Sequence, residues 1–322
     1  MDMPENLRAA IASLTEDVSS SRLVEEARRV SLRYRDRGDL KQFIQSRGEA
    51  LAYAVARMPA TYGAVASALT YTLKALEGRG EEIVSLLDVG AGTGAATWAA
   101  DGQLALQEVV CVERETAMSQ IGTTIMACGS EALQNARWIE CDIASQPIPC
   151  QGDLVIASYV LNELNAQSQA EVSDMLWSCA GKLLLIVEPG TPEGYRTIER
   201  VRTILRQRGA HIVAPCPHEK PCPMSGQDWC HFSCRVPRSQ LHRLSKGGEA
   251  PYEDEKYAYV ALAREGEPLR GGGRVLRHPH IAKGIVRLEL CTEDGITGKT
   301  LSKRDGEAYK RARKAKCGDW VE

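Results

Sequence analysis

The chain has 322 residues, of which 43% are hydrophobic and 25% charged, the make-up of a folded protein of two domains at roughly 150 residues each, which excludes a disordered chain. No apolar run approaches the ~18 residues of a membrane span, and MDMPENLRAAIASL has neither a signal-peptide core nor the Arg-rich, acid-poor character of a transit peptide, so a cytoplasmic monomer with no membrane partner is expected. The net charge of −2 is unevenly split, with 16 Lys+Arg against 27 Asp+Glu in residues 1–199 and 24 against 15 in residues 200–322, and a basic half suits a polyanionic partner.

Residues 1–80 read as an N-terminal helical region. SRLVEEARRVSLRYRDRG spaces Leu23, Val24, Ala27, Val30 and Leu32 near a helical period, with Ser20 or Ser21 as N-cap. GEALAYAVARMPATYGAVASALTYTLKALEG reads as two helices joined near Pro59, the second stopping by Gly78. Five short apolar runs follow: IVSLLDV (83–89), QEVVCVE (107–113), ARWIECD (136–142), DLVIASY (153–159) and KLLLIVE (182–188). Helix-length segments separate most of them, which predicts a doubly wound α/β domain over 81–212. Beyond ~215 Pro and Gly become frequent. KYAYVAL (256–262), GRVLRH (273–278) and GIVRLEL (284–290) then predict a small, cysteine-rich β domain over 213–301. SKRDGEAYKRARKAK (302–316) reads as a basic helix, with 302–322 a C-terminal helix or tail.

LLDVGAGTGAATWAA (86–100) stands where the first strand hands over to the first helix. Gly90, Gly92 and Gly94 let the backbone turn sharply and approach a ligand closely, at the carboxyl edge of the sheet where such folds bind ligands. Glu113 ends the second strand, near the ~20-residue offset of an acid that bonds ribose hydroxyls. The spacing is G-x-G-x-G, not the G-x-G-x-x-G of dinucleotide sites. It resembles the first motif of class I S-adenosylmethionine-dependent methyltransferases, a Rossmann-like fold. That resemblance implies S-adenosylmethionine as cofactor, with Asp88 and the three glycines at the turn and Glu113 on the ribose. It also implies Asp142 on the adenine amino group and Ser158 at the end of the fourth strand. No residue announces a catalytic base: DLVIASYVLNEL (153–164) lacks the N/D-P-P-Y tetrapeptide of amino-methylating enzymes, and Pro149-Cys150 precedes the strand where a cytosine-C5 nucleophile would follow it.

Eleven cysteines in a reducing compartment are not a disulfide framework. Cys111, Cys128, Cys141, Cys150 and Cys179 read as packing. APCPHEKPCPMSGQDWCHFSCR (214–235) differs, because dense thiols in a loop point to metal. Cys216, Cys222 and Cys230 form C-x5-C-x7-C, without the C-x2-C knuckles of zinc ribbons. A [4Fe–4S] cluster takes one thiolate per iron, and Cys234 or Cys291 could be the fourth. His218 and His231 offer zinc as the alternative. Trp229 and His231 would shield the metal or stack on bases. The spacing also departs from the C-x3-C-x2-C of radical enzymes.

CPHEKPCPMSGQDWCHFSCRVPRS, with RMPATYGAV, LLDVGAGTG, ASYVLNEL, EPGTPEGY, YEDEKYAYVAL and LELCTEDG, resembles the Rsm22 family of methyltransferase-like proteins of the small ribosomal subunit. The resemblance implies a [4Fe–4S] cluster on Cys216, Cys222, Cys230 and Cys291, with Cys234 a bystander. It implies binding to small-subunit rRNA, and to ribosomal proteins, during ribosome assembly or translation, with methyl transfer to rRNA or a ribosomal protein as the alternative activity. Arg235, Arg238, Arg243, Arg277, Lys283, Arg304, Lys310, Arg311, Arg313 and Lys314 are the cations expected to meet phosphates.

Overall fold

The computed structural model describes the chain except residues 1, 37–43, 78–81, 241, 244–249, 267 and 269–270. The stop expected at Gly78, the end of the helix expected to reach Gly38 and the join between the first two expected domains lie outside the described residues. Four helices come first: α1 (Glu5–Thr15), α2 (Ser20–Asp36), α3 (Arg47–Ala56) and α4 (Met58–Leu76). The Ser46 side chain accepts from Glu49 N and starts α3. Pro59 sits in the first turn of α4, where its missing N–H costs no helical bond. Most of α4 is buried, because it lies against the sheet rather than in solvent.

The sheet is built from β1 (Ser85–Val89), β2 (Glu108–Glu113), β3 (Arg137–Glu140), β4 (Gly152–Ser158), β5 (Ala180–Pro189), β6 (His211–Ala214), β7 (Phe232–Pro237) and β8 (Tyr252–Ala263). Between them run α5 (Ala95–Asp101), α6 (Thr116–Met126), α7 (Glu131–Gln134), α8 (Ala166–Cys179) and α9 (Pro192–Gln207). The order is β3-β2-β1-β4-β5-β8-β6, with β7 also on β8. The strands β1 to β5 pair in parallel, and β8 is antiparallel to β5, β6 and β7. This is a doubly wound, Rossmann-like sheet with one antiparallel strand, β8, inserted beside β5. Leu86, Leu154 and Leu185 face the layer of α3 to α6, whereas Leu87, Val89, Val155 and Ile186 face α8 and α9. Both faces are covered, so the strands read as continuous apolar runs. The chain reverses its winding between β1 and β4, which opens a crevice at their carboxyl ends.

One expectation about strand placement is corrected. Residues 256–262 are part of β8 in the large sheet, not of a separate β domain. Local alternation reveals a strand but not its partners. β6 pairs with Ala261–Ala263 and β7 with Tyr252–Tyr257 of β8. Both strands run the same way along one edge, and residues 215–231 leave that edge between them. Opposite the gap lie Ala258, Tyr259 and Val260.

A second sheet follows, in the order β10-β11-β9-β13 with β12 on β11. Its strands are β9 (Gly273–Val275), β10 (His280–Ala282), β11 (Ile285–Thr292), β12 (Gly295–Ser302) and β13 (Trp320–Val321). The basic helix α10 (Gly306–Lys314) packs Tyr309 and Ala312 against Val286, Leu288, Leu290 and Leu301. It is a helix and an element of this small core, so of the two alternatives, helix or tail, residues 306–314 take the first.

Candidate functional site

Two cavities hold most of the residues singled out in the sequence. The first is a cleft of about 710 Å³, partly open to solvent, at the carboxyl ends of β1 and β4. Gly90, Gly92, Glu113, Asp142 and Ser158 line it. Gly90 N and Ala91 N donate to Val112 O at 2.9 and 3.0 Å, which pins the turn to β2. Gly90 has φ +70°, and a Cβ there would stand 2.7 Å from Val160 Cγ2. Only glycine meets both conditions without strain. The Glu113 carboxylate accepts from Gly92 N at 2.8 Å and Glu115 N at 2.9 Å. Burial raises its pKa, and the N–H bonds from Glu115 and Gly92 oppose that rise. Each Glu113 oxygen keeps a lone pair for a further donor.

Two residues expected in the cofactor set stand elsewhere, and the expectation is corrected. Asp88 is fully buried, and its Oδ2 accepts from Thr97 N at 3.1 Å and Thr97 Oγ1 at 2.6 Å. It anchors the first turns of α5 from beneath the cleft. Gly94, at φ +85°, is the N-cap of α5, and a Cβ there would lie 2.2 Å from Met126 Cε. It permits close packing of α5 on α6.

The cleft also takes side chains that sequence reasoning passed over. Tyr53 from α3, and Arg114 with Glu115 after β2, line it. Tyr159 has φ +60°, a conformation that costs a bulky residue on the order of 1 kcal/mol or more. Its hydroxyl donates to Glu255 Oε1 at 2.9 Å, and Arg57 Nη2 stands 3.8 Å from the same carboxylate oxygen. The tether to β8 explains how the strained residue is held. No local pattern signals it, because Glu255 is 96 residues away.

Glu188, at the end of β5, is fully buried beside the cleft. Its Oε1 accepts from Leu161 N at 2.9 Å, and Oε2 has no partner among the described residues. Burial pushes its pKa up to about 8, against the N–H bonds of Leu161 and Asn162. The folded state therefore binds the proton more tightly than the unfolded chain, whose Glu titrates near 4.5. Stability falls as pH rises through that window. Between about pH 5 and about pH 9 the wild type is expected to lose a few kcal/mol that Glu188→Gln keeps. Denaturant unfolding at both pH values checks this: the two proteins should differ at high pH and converge at low pH.

The second cavity, partly open to solvent, lies in the gap between β6 and β7. Cys216, Cys222 and Cys230 from the 215–231 excursion line it, with Cys291 from β11 of the small sheet. Cys234 belongs to β7 and packs in the main core instead. Burial pushes the Cys291 thiol up to about 12, followed by Cys216 and Cys222, while Arg202 and Arg274 pull it down. Cys230 is raised well above its usual range by burial, then by Cys216, Cys222 and Cys291. Each thiol thus opposes ionisation of its neighbours. Among the described residues no group of three His, Cys, Asp or Glu side chains is placed to hold a metal ion.

Arg202 and Arg274 also line the cavity, at 4% and 3% exposure. Arg202 donates to the carbonyls of His218 and Lys220 at 3.2 and 2.6 Å. Arg274 donates to those of Pro215 and Gly318 at 3.0 and 2.7 Å. The signal for Arg202 was present: it falls on the apolar face of α9 with Ile198, Val201 and Leu205. His218 Nε2 stands 3.7 Å from Cys291 Sγ. Trp229 donates from Nε1 to Gly190 O at 2.9 Å and stacks on His231 at 5.2 Å. That contact fastens the excursion to the end of β5.

Four of the cations expected to meet phosphate are already paired. Arg235 pairs with Asp254, Arg238 with Glu253, Arg277 with Asp228 and Lys310 with Glu307. Lys283, Arg304, Arg311, Arg313 and Lys314 are exposed, on the loop before β11 and around α10.

The family model described as "Mitochondrial small ribosomal subunit Rsm22" matches residues 47–322. The human mitochondrial ribosome assembly protein METTL17 is 30% identical over 298 residues, 84% of this chain. The mitochondrial Rsm22-cox11 tandem protein 2 of Schizosaccharomyces pombe is 29% identical over 215 residues, 52% of the chain. The matches cover 62% of the human protein and 28% of the yeast one. Both relatives are mitochondrial proteins, which overturns the cytoplasmic expectation. Among solved structures, the magnesium protoporphyrin IX methyltransferase of Synechocystis PCC 6803 with bound SAM is 13% identical, covering 81% of this chain and 98% of that one, at a TM-score of 0.43. The N-methyltransferase NodS of Bradyrhizobium japonicum is 12% identical, covering 61% and 85%, at a TM-score of 0.40.

Proposed function

The chain belongs to the Rsm22 family, and from that premise we propose that it is a methyltransferase-like assembly factor of the mitochondrial small ribosomal subunit. In this reading it binds S-adenosylmethionine in the β1–β4 cleft and rRNA on its basic C-terminal face. Cys216, Cys222, Cys230 and Cys291 hold a [4Fe–4S] cluster that joins the two sheets.

One observation carries the proposal: three thiols of the 215–231 excursion and one of β11 line one cavity together with two buried arginines. The donor set suits the group. A cube with an iron at each of four corners takes four sulfurs spread around it, one per iron, whereas zinc takes its ligands convergent on a single point. Buried guanidinium charge is costly unless an anion accompanies it. Neither arginine has a carboxylate partner among the described residues, and a thiolate-bound cluster would supply the missing negative charge. When bound, it would act as a covalent clip between the 215–231 excursion and β11.

The cleft supports cofactor binding through Glu113, Asp142, Ser158 and the backbone at Gly90 and Gly92, which line it together. The exposed cations of the loop at Lys283 and of α10 support contact with RNA phosphates. The test is crosslinking of the full chain in mitochondria, followed by sequencing of bound RNA, with and without added S-adenosylmethionine. Enrichment of small-subunit rRNA is expected, and a crosslink profile no different from total RNA defeats the reading.

A further inference from the structure

The cysteine-lined cavity also holds three polar side chains, Tyr195, Arg202 and Arg274. Tyr195, in the first turns of α9, donates its hydroxyl to Cys222 Sγ at 3.3 Å. Arg202 lies two turns further along the same helix, and its buried Nε has no partner among the described residues. Arg274 enters from β9 of the other sheet, its guanidinium 5.8 Å from the Tyr71 ring centre and 5.5 Å from that of Trp320. Two positive charges therefore line the cavity together with the sulfurs, and one hydroxyl is bonded to the Cys222 sulfur.

We propose that Tyr195, Arg202 and Arg274 set the reduction potential of the cluster held by the four cysteines, by stabilising its reduced, more anionic form. The inference rests on the reading of this cavity as an iron–sulfur site. Its physical basis is general. A cluster on four thiolates is an anion, and taking up one electron adds a further negative charge. The potential follows net charge, hydrogen bonds to sulfur and solvent exposure. A buried cation interacts with that added charge more strongly than an exposed one would. A hydroxyl bonded to a ligand sulfur strengthens its bond as electron density on sulfur grows. Both effects favour reduction, so the three residues raise the potential. They are positioning residues: each acts through the cluster's ligands or its field, and none supplies a bond to iron.

The test is a redox titration of the full chain, reconstituted anaerobically with iron and sulfide and followed by visible absorbance and electron paramagnetic resonance. Iron and sulfide per chain are measured in parallel. Tyr195→Phe should keep the iron content of the wild type and shift the midpoint to more negative potential. Arg202→Gln and Arg274→Gln should shift it further, because each removes a full charge. Arg202→Lys retains the charge but not the guanidinium geometry, and its midpoint should return toward the wild type. A purely structural role would lower iron content without this charge-dependent order of midpoints. Tyr195→Phe is the variant least able to disturb folding. An unchanged midpoint in it, together with unchanged midpoints in whichever arginine variants retain iron, overturns the inference while leaving the cluster intact. A wild type that binds zinc, or takes up no iron and sulfide, overturns the cluster reading itself and the inference with it.

Discussion

Cys291→Ser is expected to abolish iron binding: anaerobically purified protein falls from about four irons per chain to below one. The loss should extend beyond the metal. Cys291 is the one cysteine of the proposed set on the small sheet, and the other three belong to the excursion from the large one. Without it the excursion and the small sheet meet only through non-covalent contacts, among them Arg274 on Pro215 O and Lys220 on Glu293 O. Structural metal sites contribute on the order of 10 kcal/mol to folding of small domains. The melting transition should therefore drop by roughly 10 °C or more, or separate into two. Cys234→Ser provides the contrast. Its thiol is buried in β7 but does not line the cavity, so iron content should remain at the wild-type level. Equal iron in both variants would refute the assignment of the four ligands.

Glu113→Ala is expected to weaken S-adenosylmethionine binding by on the order of 10²-fold or more. Hydrogen bonds to a charged group contribute about 1.5–3 kcal/mol each, and a ribose presents two hydroxyls to this carboxylate. The same substitution releases Gly92 N and Glu115 N, so the turn loses its anchor as well. Isothermal titration with S-adenosylmethionine measures the effect. Asp88→Asn separates the two carboxylates. Asp88 is seated under α5, and burial pushes its pKa up to about 7, so its neutral replacement should leave the affinity near that of the wild type. An Asp88→Asn variant that lost binding while Glu113→Ala retained it would reverse the two roles assigned here.

Much of the α/β architecture was legible because its signals are local. An apolar run followed by G-x-G-x-G marks a strand, a turn and a helix within fifteen residues, and Gly90 must be glycine at φ +70° whatever the distant chain does. The strand pattern of residues 83–188 was equally readable, since burial on both faces makes each strand continuously apolar. Legibility failed where a residue's role depends on its partner. Asp88 and Glu113 look alike in sequence, each an acid at a strand's end. One points beneath the sheet to Thr97 and the other to the cleft. Residues 256–262 showed their strand character but not their neighbours, so they were assigned to the wrong sheet.

The division follows the range of the forces involved. Periodicity, turn chemistry and thiol spacing act over a few residues, and from these alone came the strands, the glycine turn and the three clustered cysteines. Family resemblance, carried by the same short stretches, favoured Cys291 over Cys234 as the fourth. The gap in the sheet edge, the buried arginines and the tether from Tyr159 to Glu255 arise only when residues far apart in the chain are packed together. β6 and β7 must both pair with β8 before the excursion between them can enclose a cavity. A guanidinium becomes a buried charge only once water has been excluded around it, and that exclusion is a property of the assembled sheets, not of any segment.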